Sequence, residues 1–70
     1  MRIAVLDDDQ KQSALICTVL NAAGHDCEAF SHSKHLLTSL QADRFDMLVF
    51  HWLLADMGGA EIVRLARSLL

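Results

Sequence analysis

No proline occurs in these 70 residues, and Gly24, Gly58 and Gly59 are the only glycines. A chain this poor in the two residues that punctuate structure shows no composition of a linker or of a low-complexity segment, and no internal repeat is visible. It reads as one continuous domain over residues 1–70. Charge of one sign is also scarce. Six lysines and arginines face nine acids, for a net charge of −3. A duplex-binding surface needs a basic stripe, and Arg64 and Arg67 are only a pair, so no nucleic-acid partner is expected. No apolar run is long enough to span a bilayer, and the basic start and apolar core of a secretory signal are missing. A cytoplasmic location is therefore expected. Cys17 and Cys27 lack metal-pair spacing and read as two buried thiols in a reducing compartment.

What the chain has in quantity is apolar surface. Hydrophobic residues make up 53% of it, and the mean hydropathy is +0.28. A domain of this size buries only about 60% of the surface its unfolded chain exposes. Either the packing is unusually complete or a partner covers part of the outside, and the second is the expectation.

The apolar residues are grouped. Arg2 to Leu6 is a short run rich in Ile and Val, closed by Asp7, Asp8 and Asp9, and reads as a buried strand. From Gln10 to Ala23, Ala14, Leu15, Cys17, Thr18, Leu20 and Ala22 fall at helical spacing. Asp9 is placed to cap the first turn, and Gly24 to take the left-handed position after the last. Asp26 to Phe30 alternates as a second strand. Ser31 or Ser33 then caps a helix through Leu36, Leu37 and Leu40. Asp46 to Phe50 is a third strand. Gly59 or Ala60 opens a final helix to Leu70, with Ile62, Val63, Leu65, Ala66, Leu69 and Leu70 on its apolar side. The order β-α-β-α-β-α predicts a parallel sheet with right-handed crossovers.

If the first and third strands are neighbours, Asp7, Asp8 and His51 meet at the carboxyl edge, in the crevice where doubly wound sheets bind ligands. Adjacent carboxylates repel unless a cation or donor intervenes. A hard divalent cation such as Mg²⁺ is one resolution. The acidic start of a helix, favoured by the macrodipole, is the other. Asp7 and Asp8 point to different sides, so only one of them is expected to face the crevice.

The apolar strand into Asp7-Asp8, followed by a third strand into His51-Trp52-Leu53-Leu54-Ala55-Asp56-Met57-Gly58-Gly59, resembles the receiver domain of bacterial two-component response regulators, in order and spacing along the whole chain. The resemblance implies a flavodoxin-like doubly wound α/β fold, here truncated to three strands in the order 2-1-3 with three helices. It implies that Asp7 and Asp8 help to hold Mg²⁺, that the backbone carbonyl of Leu53 completes the metal site, and that a histidine kinase or another signalling protein is the partner. In that family an aspartate at the end of the third strand accepts the phosphoryl group. Here that slot holds His51.

The sequence departs from the family in further ways. Ala55 stands where the loop usually has proline, which leaves a backbone angle free, and Gly58 stands where a polar residue is common. Receivers continue through two more strands and helices, which supply the Ser/Thr and Lys around the phosphoryl group. These 70 residues hold three β-α units, so a short protein or a fragment of a longer regulator is expected. Ordinary receiver phosphorylation is not.

Three readings of His51 remain open. It pairs with Asp7 or Asp8. It joins them as a ligand for Zn²⁺, Mn²⁺ or Ni²⁺, which suit an imidazole better than Mg²⁺ does. Or it acts as nucleophile or base. The last is disfavoured for want of an oriented nucleophile or enclosed pocket, and the chain is not expected to be an enzyme. Asp56 reads as a loop or capping residue, Trp52 as a partly buried anchor, and His25 as a loop residue without a role. His32 and His35 sit at a spacing that places them on one helix face. Finally, Met47, Leu48, Val49 and Phe50 form an exposed apolar edge without a fourth strand. Such edges invite pairing, and a homodimer or higher oligomer is expected, joined near the third strand and the first and third helices.

Overall fold

The structure, a computed structural model, describes residues 1–51 and 58–69. Three strands, β1 (Arg2–Leu6), β2 (Asp26–Phe30) and β3 (Met47–Phe50), alternate with three helices, α1 (Gln10–Ala22), α2 (Ser33–Ala42) and α3 (Gly59–Arg67). All strand pairs are parallel, as the alternating pattern predicts, and the order is β2-β1-β3, as the receiver resemblance implies.

β1 has neighbours on both sides and layers on both faces, so Ile3, Ala4, Val5 and Leu6 are all buried, the run of a central parallel strand. Its side chains alternate between two layers. Ala4 and Leu6 join Leu36, Leu40, Phe45, Ile62 and Ala66 in the main core, with Phe30, Leu48, Phe50 and Leu69 packed at its margin. Ile3 and Val5 face the other way, under α1.

α1 turns a different stripe to the sheet from the one its apolar spacing suggests. Ser13 is buried, and Ile16, Cys17 and Leu20 are half-buried, while Ala14, Thr18 and Ala22 are exposed. Leu15 and Val19 are 66% and 60% exposed. Ser13 enters the interior because its Oγ donates to the Gln10 carbonyl, which satisfies the hydroxyl within the first turn. The ends of α1 are as expected. Asp9 Oδ1 accepts from the Lys11 and Gln12 amides. At the other end Gly24 takes φ +94°, with Gly24 N–H donating to Asn21 and His25 N–H to Leu20, the paired bonds of a Schellman stop.

Three boundaries differ from the sequence reading. Neither Ser31 nor Ser33 caps α2. His32 occupies the cap without a side-chain cap bond, and Ser33 is the first helical residue. Ser31 Oγ is engaged with His32 Nδ1 instead, at 3.1 Å. β3 begins at Met47 because Asp46 is bound to Arg2: its carboxylate accepts from the Arg2 amide at 2.9 Å and its own amide donates to the Arg2 carbonyl at 2.8 Å. α3 ends at Arg67, where Ser68 Oγ folds back onto the Leu65 carbonyl. Leu70 lies outside the described residues.

At the amino end of the strands, Arg2 forms a clasp absent from the sequence reading. Its guanidinium pairs with Asp26 at 2.8 Å and also with Asp43. It lies 4.6 Å from the centre of the Phe45 ring, and that ring packs edge-on against Phe30.

Candidate functional site

The opposite, carboxyl end of the sheet carries the chemistry-bearing residues. The β1–β3 register pairs Leu6 with Phe50, and the His51 amide donates to the Leu6 carbonyl at 3.1 Å. The next positions along, Asp7 and His51, are therefore side by side. Both continue the set of alternate residues on the α1 face: Ile3, Val5, Asp7 on one strand and Met47, Val49, His51 on the other. Together with Val5, Leu6, Gln12, Ile16, Val49 and Phe50 they line a cleft of about 210 Å³. Gln12 and Ile16, one helical turn apart on α1, form its wall. The sequence reading missed them. Their signal was their distance from the Asp9 cap, which places them above the strand ends.

The three acids divide the work. Asp7 is 6% exposed, its amide donates to the Phe30 carbonyl at 3.0 Å, and its Oδ1 accepts from the Asp9 amide at 2.9 Å. It thereby braces the turn that launches α1. Asp9 caps the helix. Asp8 is exposed and does not line the cleft. The expectation that only one of the first two acids faces the crevice holds, and Asp7 is that one. The expected meeting of Asp7, Asp8 and His51 is thus reduced to Asp7 and His51. His51 is itself exposed.

Among the described residues, no group of three or more His, Cys, Asp or Glu side chains is placed to hold a metal ion. An octahedral Mg²⁺ shell wants oxygen donors. The described part of this edge brings one carboxylate that accepts from a backbone amide, one exposed carboxylate and an imidazole. Leu53, with its carbonyl, and Trp52, Ala55 and Asp56 lie outside the described residues.

Comparison with solved structures is decisive for the architecture. The receiver domain of the Francisella response regulator 1452 superposes with a TM-score of 0.87 at 24% identity, over 96% of this chain and 55% of that one. The two share a fold. The chain therefore has the receiver architecture over its three β-α units and spans about half the length of that structure. No family model matches the sequence, and no curated protein matches it.

The other histidines are placed differently. His32 and His35 are exposed, with ring centres 5.5 Å apart, so the predicted shared face exists. His25 is half-buried just after the Gly24 stop. On the third strand, Met47 is 43% exposed, Leu48, Val49 and Phe50 are half-buried, and β3 is an edge of the described sheet. A shallow groove runs between Met47, Leu48 and Phe50 and the Val63, Ala66 and Arg67 side of α3. No helix among the described residues is long and apolar enough to cross a membrane.

Proposed function

We propose that this chain is a receiver-like signalling domain that works through protein–protein contact and does not accept a phosphoryl group in the ordinary receiver manner. The observation that carries the reading is His51 directly after β3, beside Asp7, in a fold shared with a response regulator receiver domain. In receivers, a carboxylate at that strand end becomes an acyl phosphate. An imidazole forms no acyl phosphate. Its only covalent option is a nitrogen–phosphorus bond, of different geometry and lability. The partner under this reading is a histidine kinase or another signalling protein, and the chain is a docking module, not an enzyme. Incubation with acetyl phosphate and Mg²⁺, followed by intact-mass measurement, is expected to leave the mass unchanged. A phosphate gain that disappears in His51→Ala would overturn the reading.

Self-association belongs to the same proposal. Leu15, Val19 and Met47 are exposed, and β3 is an edge of the described sheet, where a second copy would add a strand. Light scattering is expected to give a dimer, and a monomer at micromolar concentration refutes it.

One observation favours a second reading, a transition-metal module: Asp7 and His51 line the same cleft. A carboxylate with an imidazole suits Zn²⁺, Mn²⁺ or Ni²⁺. A thermal shift with Zn²⁺ that is lost in His51→Ala supports this reading. A shift unchanged in that variant removes it.

A further inference from the structure

Cys17 and Cys27 are ten positions apart in sequence and belong to different elements, α1 and β2. The fold brings them together. Cys27 lies opposite Ile3 in the β1–β2 register, and Ile3 is on the face that α1 covers. Cys17 is on the inward stripe of α1, between Ser13 and Leu20. One turn further on, Asn21 of the same helix accepts the Cys27 amide on its Oδ1 at 3.0 Å, and just before β2 the His25 amide donates to Leu20. The helix is thus tied directly to the backbone of Cys27. The Cys17 side chain is near enough to act on the Cys27 thiol by hydrogen bonding and by charge. Both are free and both are only half-buried, so small reagents reach them.

We propose that Cys17 and Cys27 form a dithiol site that a low-molecular-weight disulfide oxidises to an internal disulfide, bolting α1 to the edge strand β2. Burial, together with the hydrogen bond and charge of Cys17, pushes the Cys27 thiol up to about 12, so the first attack falls to Cys17. Its thiolate attacks one sulfur of the oxidant. A protein–oxidant S–S bond forms as the oxidant's own S–S bond breaks, and one thiolate leaves and takes up a proton from solvent. Cys27 then gives its proton to solvent and attacks the Cys17 sulfur. The mixed disulfide breaks, and the second thiolate leaves and is protonated. Two protein thiols lose two electrons and two protons, and one disulfide becomes two thiols. No other reactant is needed. The site is separate from the cleft at the strand ends and does not depend on the receiver reading.

The test uses the full chain and glutathione as the probe. The protein is equilibrated in mixtures of reduced and oxidised glutathione, in native buffer and in concentrated guanidinium chloride, then acid-quenched. Intact mass and a non-reducing peptide map are read. The expected product is an internal Cys17–Cys27 bond, with an equilibrium constant at least about tenfold higher in the native chain than in the denatured one, because the fold raises the effective concentration of one thiol at the other. Cys17→Ser and Cys27→Ser are each expected to give a single glutathione adduct and no internal bond. A native constant equal to or below the denatured one overturns the proposal. So does a native product with two separate adducts, or a disulfide between two chains.

Discussion

Asp9 holds the first turn of α1 with one carboxylate oxygen shared by two amides. Asp9→Ala is expected to cost about 1 kcal/mol, the usual loss for an N-cap, read as a lower urea midpoint. Gly24 is a different case. No atom crowds an added Cβ there, so the penalty is purely conformational, and Gly24→Ala at positive φ is expected to cost about 1–2 kcal/mol. At Arg2 the ion pairs are with exposed acids and contribute little singly, whereas the stacking on Phe45 is unaffected by salt screening of surface pairs. Arg2→Ala is expected to cost about 1–2 kcal/mol, and part of that cost survives in high salt. Cys27 gives the pH dependence. Its folded-state pKa is raised from 9.0 to about 12, so the folded chain keeps the proton that the unfolded chain gives up. The resulting stability is fully present below pH 9 and is lost as pH rises towards 12. A denaturation series over that window is expected to slope downward, and Cys27→Ser to flatten it.

At the scale of elements, much was legible and the failures have physical causes. Element order and type followed from alternation and periodicity, whereas the strand pairing was implied by the receiver resemblance, and the structure agrees with it: β1 is apolar on both faces and sits centrally. The stripe of α1 was misread because apolar spacing counts Leu15 and Ala14 as inward, while the buried residue is a serine that satisfies its own hydroxyl. The α2 cap was misread because Ser31 bonds the neighbouring imidazole and leaves the helix end alone. In the candidate site, the adjacency of Asp7 and His51 was readable from two strand ends. The loss of Asp8 from the cleft followed from the two-residue period at a strand end, and Gln12 and Ile16 needed the helix position. The nearness of the two cysteines was invisible, because only the α1–β2 packing brings the nine intervening residues back on themselves. The exposed strand edge belongs to this scale too. Met47→Lys puts a charge on the described edge of β3 without entering the core, and is expected to convert the proposed dimer to monomer in light scattering while leaving circular dichroism unchanged.

The whole molecule has little reserve. Among the described residues, the principal core rests on seven buried side chains drawn from β1, α2, the segment before β3, and α3. Ile62 is fully buried and is the main apolar anchor of α3. Ile62→Ala is expected to cost about 2–5 kcal/mol, comparable with the total stability of a domain this small. A thermal melt should show it largely unfolded near room temperature, or with its midpoint lowered steeply.

The strand order also governs how this chain comes into being. β1 is synthesised before both of its neighbours, yet it lies between them in the described sheet, and its partners start at Asp26 and Met47. As the chain leaves the ribosome, Ile-Ala-Val-Leu must wait with one edge open until β2 has emerged, and with the other open until β3 has. Parallel pairing offers no early hairpin to protect it. Both edges of β1 are therefore covered only once the third strand arrives, and an interval of exposed apolar strand is built into every round of translation. During that interval the nascent chain is most vulnerable to aggregation and most in need of a chaperone.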